Sequence, residues 1–115
     1  MIKEYNKLVR TKVPKIIKQT GRQVRCTEVH HLDPKCITRF KEKLQEEITE
    51  LVEAVAEDEI IEEAADVIQV VIDYLKVLDF TPEEIEVVRL AKEIKRGAFL
   101  DEKGMGKFLI NVEEQ

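Results

Sequence analysis

Residues 34–77 read PKCITRFKEKLQEEITELVEAVAEDEIIEEAADVIQVVIDYLKV, and the spacing of the apolar residues in this stretch decides the fold. Ile37, Phe40, Leu44, Ile48, Leu51 and Val55 recur at intervals of three and four, which places them in one stripe along a helix. Asp33 and Pro34 open this helix, which the pattern predicts from about Pro34 to Ala56. Glu57 to Glu59 reads as a tight acidic connection. The stripe then restarts at Ile61, Ala64, Ala65, Ile68, Ile72 and Leu75, so a second helix folds back antiparallel on the first. Val67, Val70 and Val77 make this second helix apolar on its other side too, and a helix apolar nearly all round is buried on both faces. One of those faces needs a further partner.

Working outward, TKVPKIIKQT from Thr11 to Thr20 predicts a short helix, with Thr11 as its N-cap and Gly21 as its C-cap. Arg22 to Val29 alternates and carries β-branched residues, as a short strand would, and Lys107 to Val112 offers it a partner at the other end of the chain. Thr81, Pro82 and Glu84 supply an N-cap, a proline at N1 and the acidic member of a capping box, and Gly97 ends the helix they open. The expected architecture is therefore a single all-α domain over residues 1–115, a helical hairpin plus additional helices, with a short two-stranded pairing of the chain ends.

Composition narrows the function classes. The 115 residues are 43% hydrophobic and 37% charged with only 4 Gly and 3 Pro, which excludes collagenous, low-complexity and disordered readings. A formal charge of -5 argues against nucleic-acid binding. No window is apolar for long enough to span a membrane, and Met1 to Arg10 lacks the apolar run of a secretory signal, so a cytoplasmic protein is expected. Cys26 and Cys36 are expected as reduced thiols.

The strongest chemical signal is acidic. Glu46, Glu47 and Glu50 are followed, after a gap of twelve residues, by Glu63 and Asp66. Glu47 with Glu50, and Glu63 with Asp66, are three apart and so lie on neighbouring turns of one helix face. Folding the hairpin brings both pairs to a similar height. Four carboxylates at short range repel one another unless a cation sits among them, and hard oxygen ligands suit Mg²⁺ or Mn²⁺. Glu47 borders the apolar stripe whereas Glu46 points nearly opposite it, which favours Glu47, Glu50, Glu63 and Asp66 as the metal ligands. The competing reading is an acidic hairpin that solvates itself, with Lys41 and Lys43 pairing along the helix. A di-iron site would need Glu-x-x-His pairs, but His30 and His31 precede the first long helix. Cys26, His30, His31 and Cys36 match no usual zinc spacing. No Gly-rich phosphate loop exists, and the chain contains no serine.

Glu-Glu-x-x-Glu, a dozen residues, then Glu-x-x-Asp resembles the signature of MazG-like all-α nucleoside triphosphate pyrophosphohydrolases, and Glu46 to Asp66 fits it in full. Tyr5-Asn6-Lys7-Leu8-Val9-Arg10, followed by Lys12, Val13 and Pro14, is similar to the opening of a phosphoribosyl-ATP-pyrophosphohydrolase-like subgroup, with Thr11 where that subgroup has Asp. Lys95-Arg96-Gly97-Ala98-Phe99 resembles its Arg-Gly-Gly-Phe segment, with Ala98 replacing the second Gly.

The resemblance implies Mg²⁺-dependent cleavage between the α and β phosphates of a nucleoside triphosphate, of house-cleaning type, giving a monophosphate and pyrophosphate. Glu46 or Glu47 is then the candidate catalytic base, and Arg10, Lys12 and Arg96 are candidates for binding the phosphates. Relatives of this kind pair into dimers or dimers of dimers, which agrees with the second apolar face of the hairpin. Three readings follow: a Mg²⁺-dependent pyrophosphohydrolase, a non-catalytic helical interaction module, and a nucleotide-binding regulator without turnover.

Overall fold

The structure, a computed structural model, describes residues 7–113, so Tyr5 and Asn6 of the N-terminal motif lie outside the described residues. The described residues are all-α: α1 (Val13–Gln19), α2 (Pro34–Glu53), α3 (Glu57–Val77) and α4 (Pro82–Arg96). They fall into two compact units, one up to Asp79 and one from Phe80 onward. No described helix is long and apolar enough to cross a membrane.

In the first unit, α1 starts one residue later than an N-cap at Thr11 predicts. Arg10 and Val13 close a turn first, Lys12 is the N-cap without a side-chain cap bond, and Pro14 sits in the first turn, where its missing N–H costs nothing. Thr20 is the C-cap, and Gly21 follows it at φ +85°, donating its N–H to Lys18. For α2, Asp33 Oδ1 accepts the Lys35 N–H at 2.9 Å and Pro34 takes the first position.

The connection between the long helices is Ala54 to Ala56, with extended backbone at both ends. It corrects the expectation of a turn at Glu57 to Glu59, which instead form the first turn of α3. Carboxylates near the free N–H groups and positive end of a helix stabilise it, so an acidic run there starts a helix where a side-chain cap is lacking. At the other end of α3, Asp79 takes the left-handed conformation (φ 64°) that glycine usually supplies, and its N–H is bonded to Lys76.

α2 and α3 form the antiparallel hairpin at the centre of this unit. Phe40 and Tyr74 stack with centroids 6.1 Å apart far from the connection, while Glu47, Glu50 and Glu63 meet nearer to it. The register thereby turns only part of the expected stripe of α3 inward. Glu63, Val67, Val70, Tyr74 and Val77 are half-buried, as are Ala64, Ile72 and Leu75 of the expected inner stripe, whereas its Ala65, Ile61 and Ile68 are exposed, the two isoleucines at 70% and 60%. Ile48 on α2 and Val55 in the connection are exposed as well. Among the described residues Cys36, 6% exposed, is the one buried hydrophobic side chain.

In the second unit α4 follows its sequence signals closely. Thr81 Oγ1 accepts the Glu84 N–H at 3.2 Å, Pro82 takes the first turn of α4, and Gly97 ends the helix at φ 80°. Beyond it, Asp101 organises a turn around Gly104 by accepting the N–H groups of Lys103 and Met105. The expected strands do not form. Residues 22–29 and 107–112 carry no strand, Cys26 is exposed instead of packed, and Phe108, Leu109, Ile110 and Val112 are all exposed. Alternating side chains favour a strand only where a neighbour takes up its backbone groups, and neither segment has a ladder partner among the described residues.

Candidate metal centre

Glu47 and Glu50 come from the last turns of α2 and Glu63 from the second turn of α3. Their carboxylate oxygens lie within 4.8 Å of one another, the one group of His, Cys, Asp or Glu among the described residues with the geometry to hold a metal ion. Two ionised carboxylates at that separation repel by on the order of 3 kcal/mol at an effective dielectric of 20. Glu47 is buried (6% exposed), and one oxygen of Glu47 and one of Glu63, each Oε2, are shut off from solvent with no hydrogen-bond partner. Buried acceptors without donors are costly, and a cation is the partner that satisfies several of them at once.

Protein cations already surround the trio. Lys43 Nζ lies 3.0 Å from Glu47 Oε1 and 3.3 Å from Glu46 Oε2, and Lys7 Nζ lies 3.0 Å from Glu46 Oε1. Arg10 Nη2 reaches Asp66 Oδ1 at 2.5 Å. Counted over these residues, five carboxylates face three cations and leave a formal charge of -2, which one divalent ion cancels.

The protonation behaviour separates the carboxylates. Burial holds the Glu47 carboxyl above the ordinary range in spite of Lys43, with Glu50 adding to the rise. Glu50 is the exposed member of the trio; what desolvation it has, and then the neighbouring Glu63, push it up. Glu46 goes the other way: the effect of its burial is outweighed by Lys7 and Lys43, which hold it below the usual range. Lys43 is held above its ordinary value because Glu47 and Glu46 outweigh its own burial.

Of the metal ligands expected from sequence, the structure brings Glu47, Glu50 and Glu63 together and pairs Asp66 with Arg10 outside that trio. Of the expected phosphate-binding residues, Arg10 lies on this face through that pair. Lys12 is exposed and makes no ion pair among the described residues, and Arg96 sits in the last turn of α4 in the second unit, lining a hollow there with Asp101 and Lys103. Cys26, His30, His31 and Cys36 form no metal-binding group; the two histidine rings lie tilted against each other with centroids 4.4 Å apart, and both cysteines are free thiols. Lys43 is the functional residue whose weight sequence reasoning missed. Its spacing of three and four from Glu46 and Glu47 was the available signal, but it reads equally well as a surface pair.

Compared with protein-family models, curated proteins and solved structures, the chain matches none of them.

Proposed function

We propose that this protein is a Mg²⁺-dependent nucleoside triphosphate pyrophosphohydrolase that cleaves between the α and β phosphates. The observation that carries the reading is the trio Glu47, Glu50 and Glu63, with buried, unpartnered oxygens on two of its members and an uncancelled charge of -2 around it. The residue types fit a hard divalent cation, which in such a site neutralises phosphate charge and lowers the pKa of an attacking water. Glu47, Glu50 and Glu63 hold the ion, with Mn²⁺ as an alternative to Mg²⁺. Glu46 lies outside the trio and is the carboxylate left to accept the water's proton; Lys7 and Lys43 keep it ionised and fixed in place while lowering its basicity. Arg10 supplies positive charge to the phosphates from the neighbouring turn. The resemblance of Glu46 to Asp66 to the MazG-like signature supports the same reading, and a cytoplasmic location is part of the proposal.

The assembled unit in this reading is a homodimer or a dimer of dimers. Ile61 and Ile68 on α3, Val52 on α2 and Val55 in the connection are exposed apolar side chains on the hairpin that carries the site, and large apolar side chains left in solvent suit an interface. The direct test of the activity is release of pyrophosphate from a nucleoside triphosphate in Mg²⁺. Its loss in Glu63→Gln supports the assignment, and turnover unchanged in that variant overturns it.

A further inference from the structure

Residues 107–113 read KFLINVE, a run of high strand propensity that the fold leaves without a ladder. Phe108, Leu109, Ile110 and Val112 are 83%, 102%, 76% and 78% exposed. The main-chain groups of this segment bond to no other main chain among the described residues. Its starting point is nevertheless fixed: Asp101 accepts the N–H groups of Lys103 and Met105, and its own N–H is bonded to Gly106. In an extended strand Phe108, Ile110 and Val112 share one face, and Lys107, Leu109, Asn111 and Glu113 share the other. Phe108 lines the hollow beyond α4 together with Leu100, so the apolar face begins against the body of its own unit.

We propose that Lys107 to Glu113 is an interaction surface whose occupant is the same segment of a second copy, paired antiparallel about a two-fold axis at Ile110. Self-complementarity of charge and shape carries the assignment. In that register Lys107 stands opposite Glu113 at both ends, Phe108 opposite Val112, Leu109 opposite Asn111, and Ile110 opposite its twin. Phe108, Ile110 and Val112 of both copies then make one apolar face, with the ion pairs on the other. A slip of one residue mixes the two faces, and a slip of two sets Lys107 against Asn111 or Glu113 against Leu109. A parallel pair in register opposes Lys107 to Lys107 and Glu113 to Glu113, which repel. The contact is isologous, separate from the apolar face of the hairpin and independent of the metal reading; where both contacts form, they make a dimer of dimers.

The test uses the full chain carrying Ile68→Glu, so that association through the hairpin face does not enter, and reads the dissociation constant by sedimentation. This protein should form dimers and stop there. Lys107→Glu and Glu113→Lys should each raise the dissociation constant by about tenfold, since each sets like charges opposite one another at both ends. The two substitutions combined should restore it to within about threefold, because the ion pairs reform with their signs exchanged. Ile110→Asp, which opposes two carboxylates at the two-fold axis, should raise it by about a hundredfold. These side chains are exposed in the protomer, so its melting temperature should not move. Amide hydrogen exchange supplies the second readout: protection of residues 108–112 should grow with protein concentration and vanish in Ile110→Asp. A combined variant no tighter than the single ones, an Ile110→Asp protein that still dimerises, a monomer at high micromolar concentration, growth into open polymers, or protection that ignores concentration overturns the proposal.

Discussion

Lys43 Nζ holds Glu47 Oε1 at 3.0 Å, while the other carboxylate oxygen of Glu47 is buried without a partner. One residue is thereby half neutralised by the protein and half left for something else. Lys43 is itself mostly buried, at 17% side-chain exposure, and braces Glu46 as well. Lys43→Met should therefore destabilise the metal-free protein by roughly 1–3 kcal/mol, because it strips the hydrogen-bonded cation from a buried carboxylate. Lys43→Arg should recover part of the loss. Chemical denaturation in chelator checks this, and a Lys43→Met variant as stable as wild type contradicts the bracing role.

Magnesium should raise the melting temperature through binding to the folded state alone. At a hundredfold excess over Kd the gain is about 2.7 kcal/mol. Glu63→Gln and Glu47→Gln should abolish the rise, and an undiminished Mg²⁺ shift in either variant counts against the trio as the site.

The pH dependence of the metal-free protein follows from the same carboxylates. Glu47 and Glu50 have raised folded-state pKa values, so the native state binds more protons than the unfolded state and stability from these groups falls as pH rises through their titration. Glu46 is lowered, so its contribution is present at higher pH and is lost on acidification. In chelator, Glu47→Gln should gain on wild type as pH climbs from about 4 to neutrality, since it removes a group that is costly to ionise. Mg²⁺ affinity should rise over the same interval because binding displaces protons. A stability gap independent of pH contradicts the assignment.

Exposed Ile68 distinguishes a free surface from a buried contact. A surface substitution away from any interface shifts stability by no more than about 0.5 kcal/mol. In an apolar dimer interface Ile68→Glu should raise the dissociation constant by about tenfold or more, which corresponds to 1.4 kcal/mol. Sedimentation over a range of concentrations reads this out, and a wild-type chain that stays monomeric at micromolar concentration contradicts assembly.

The parts of the fold written in local chemistry were legible from sequence. Asp33-Pro34 and Thr81-Pro82-x-Glu84 mark helix starts by caps that need only a few residues, and both are formed as expected. The acidic pairs were legible for the same reason, since spacing along a helix fixes which side chains share a face. What needed tertiary context was not. With apolar residues nearly all round α3, hydrophobicity could not choose between the Ile61-Ile68 and Val67-Val70 faces; the meeting of Glu63 with Glu47 and the Phe40–Tyr74 stack identify the one turned to α2. The Arg10–Asp66 pair spans 56 residues, and no local pattern announces such a contact. The paired strands were inferred from alternation, which says nothing about whether a partner edge is present.

The central claim is a hydrolytic one, and ³¹P NMR of the products tests it most directly. Nucleoside triphosphates, ordinary and damaged, are incubated with the protein in Mg²⁺. At least one member of the panel should yield monophosphate and pyrophosphate in equal amounts, with turnover lost in chelator and reduced by a factor of about 100 or more in Glu63→Gln, because neutralising phosphate charge is the dominant contribution at such a site. Orthophosphate and a nucleoside diphosphate as products, or no turnover of any member, contradicts the account.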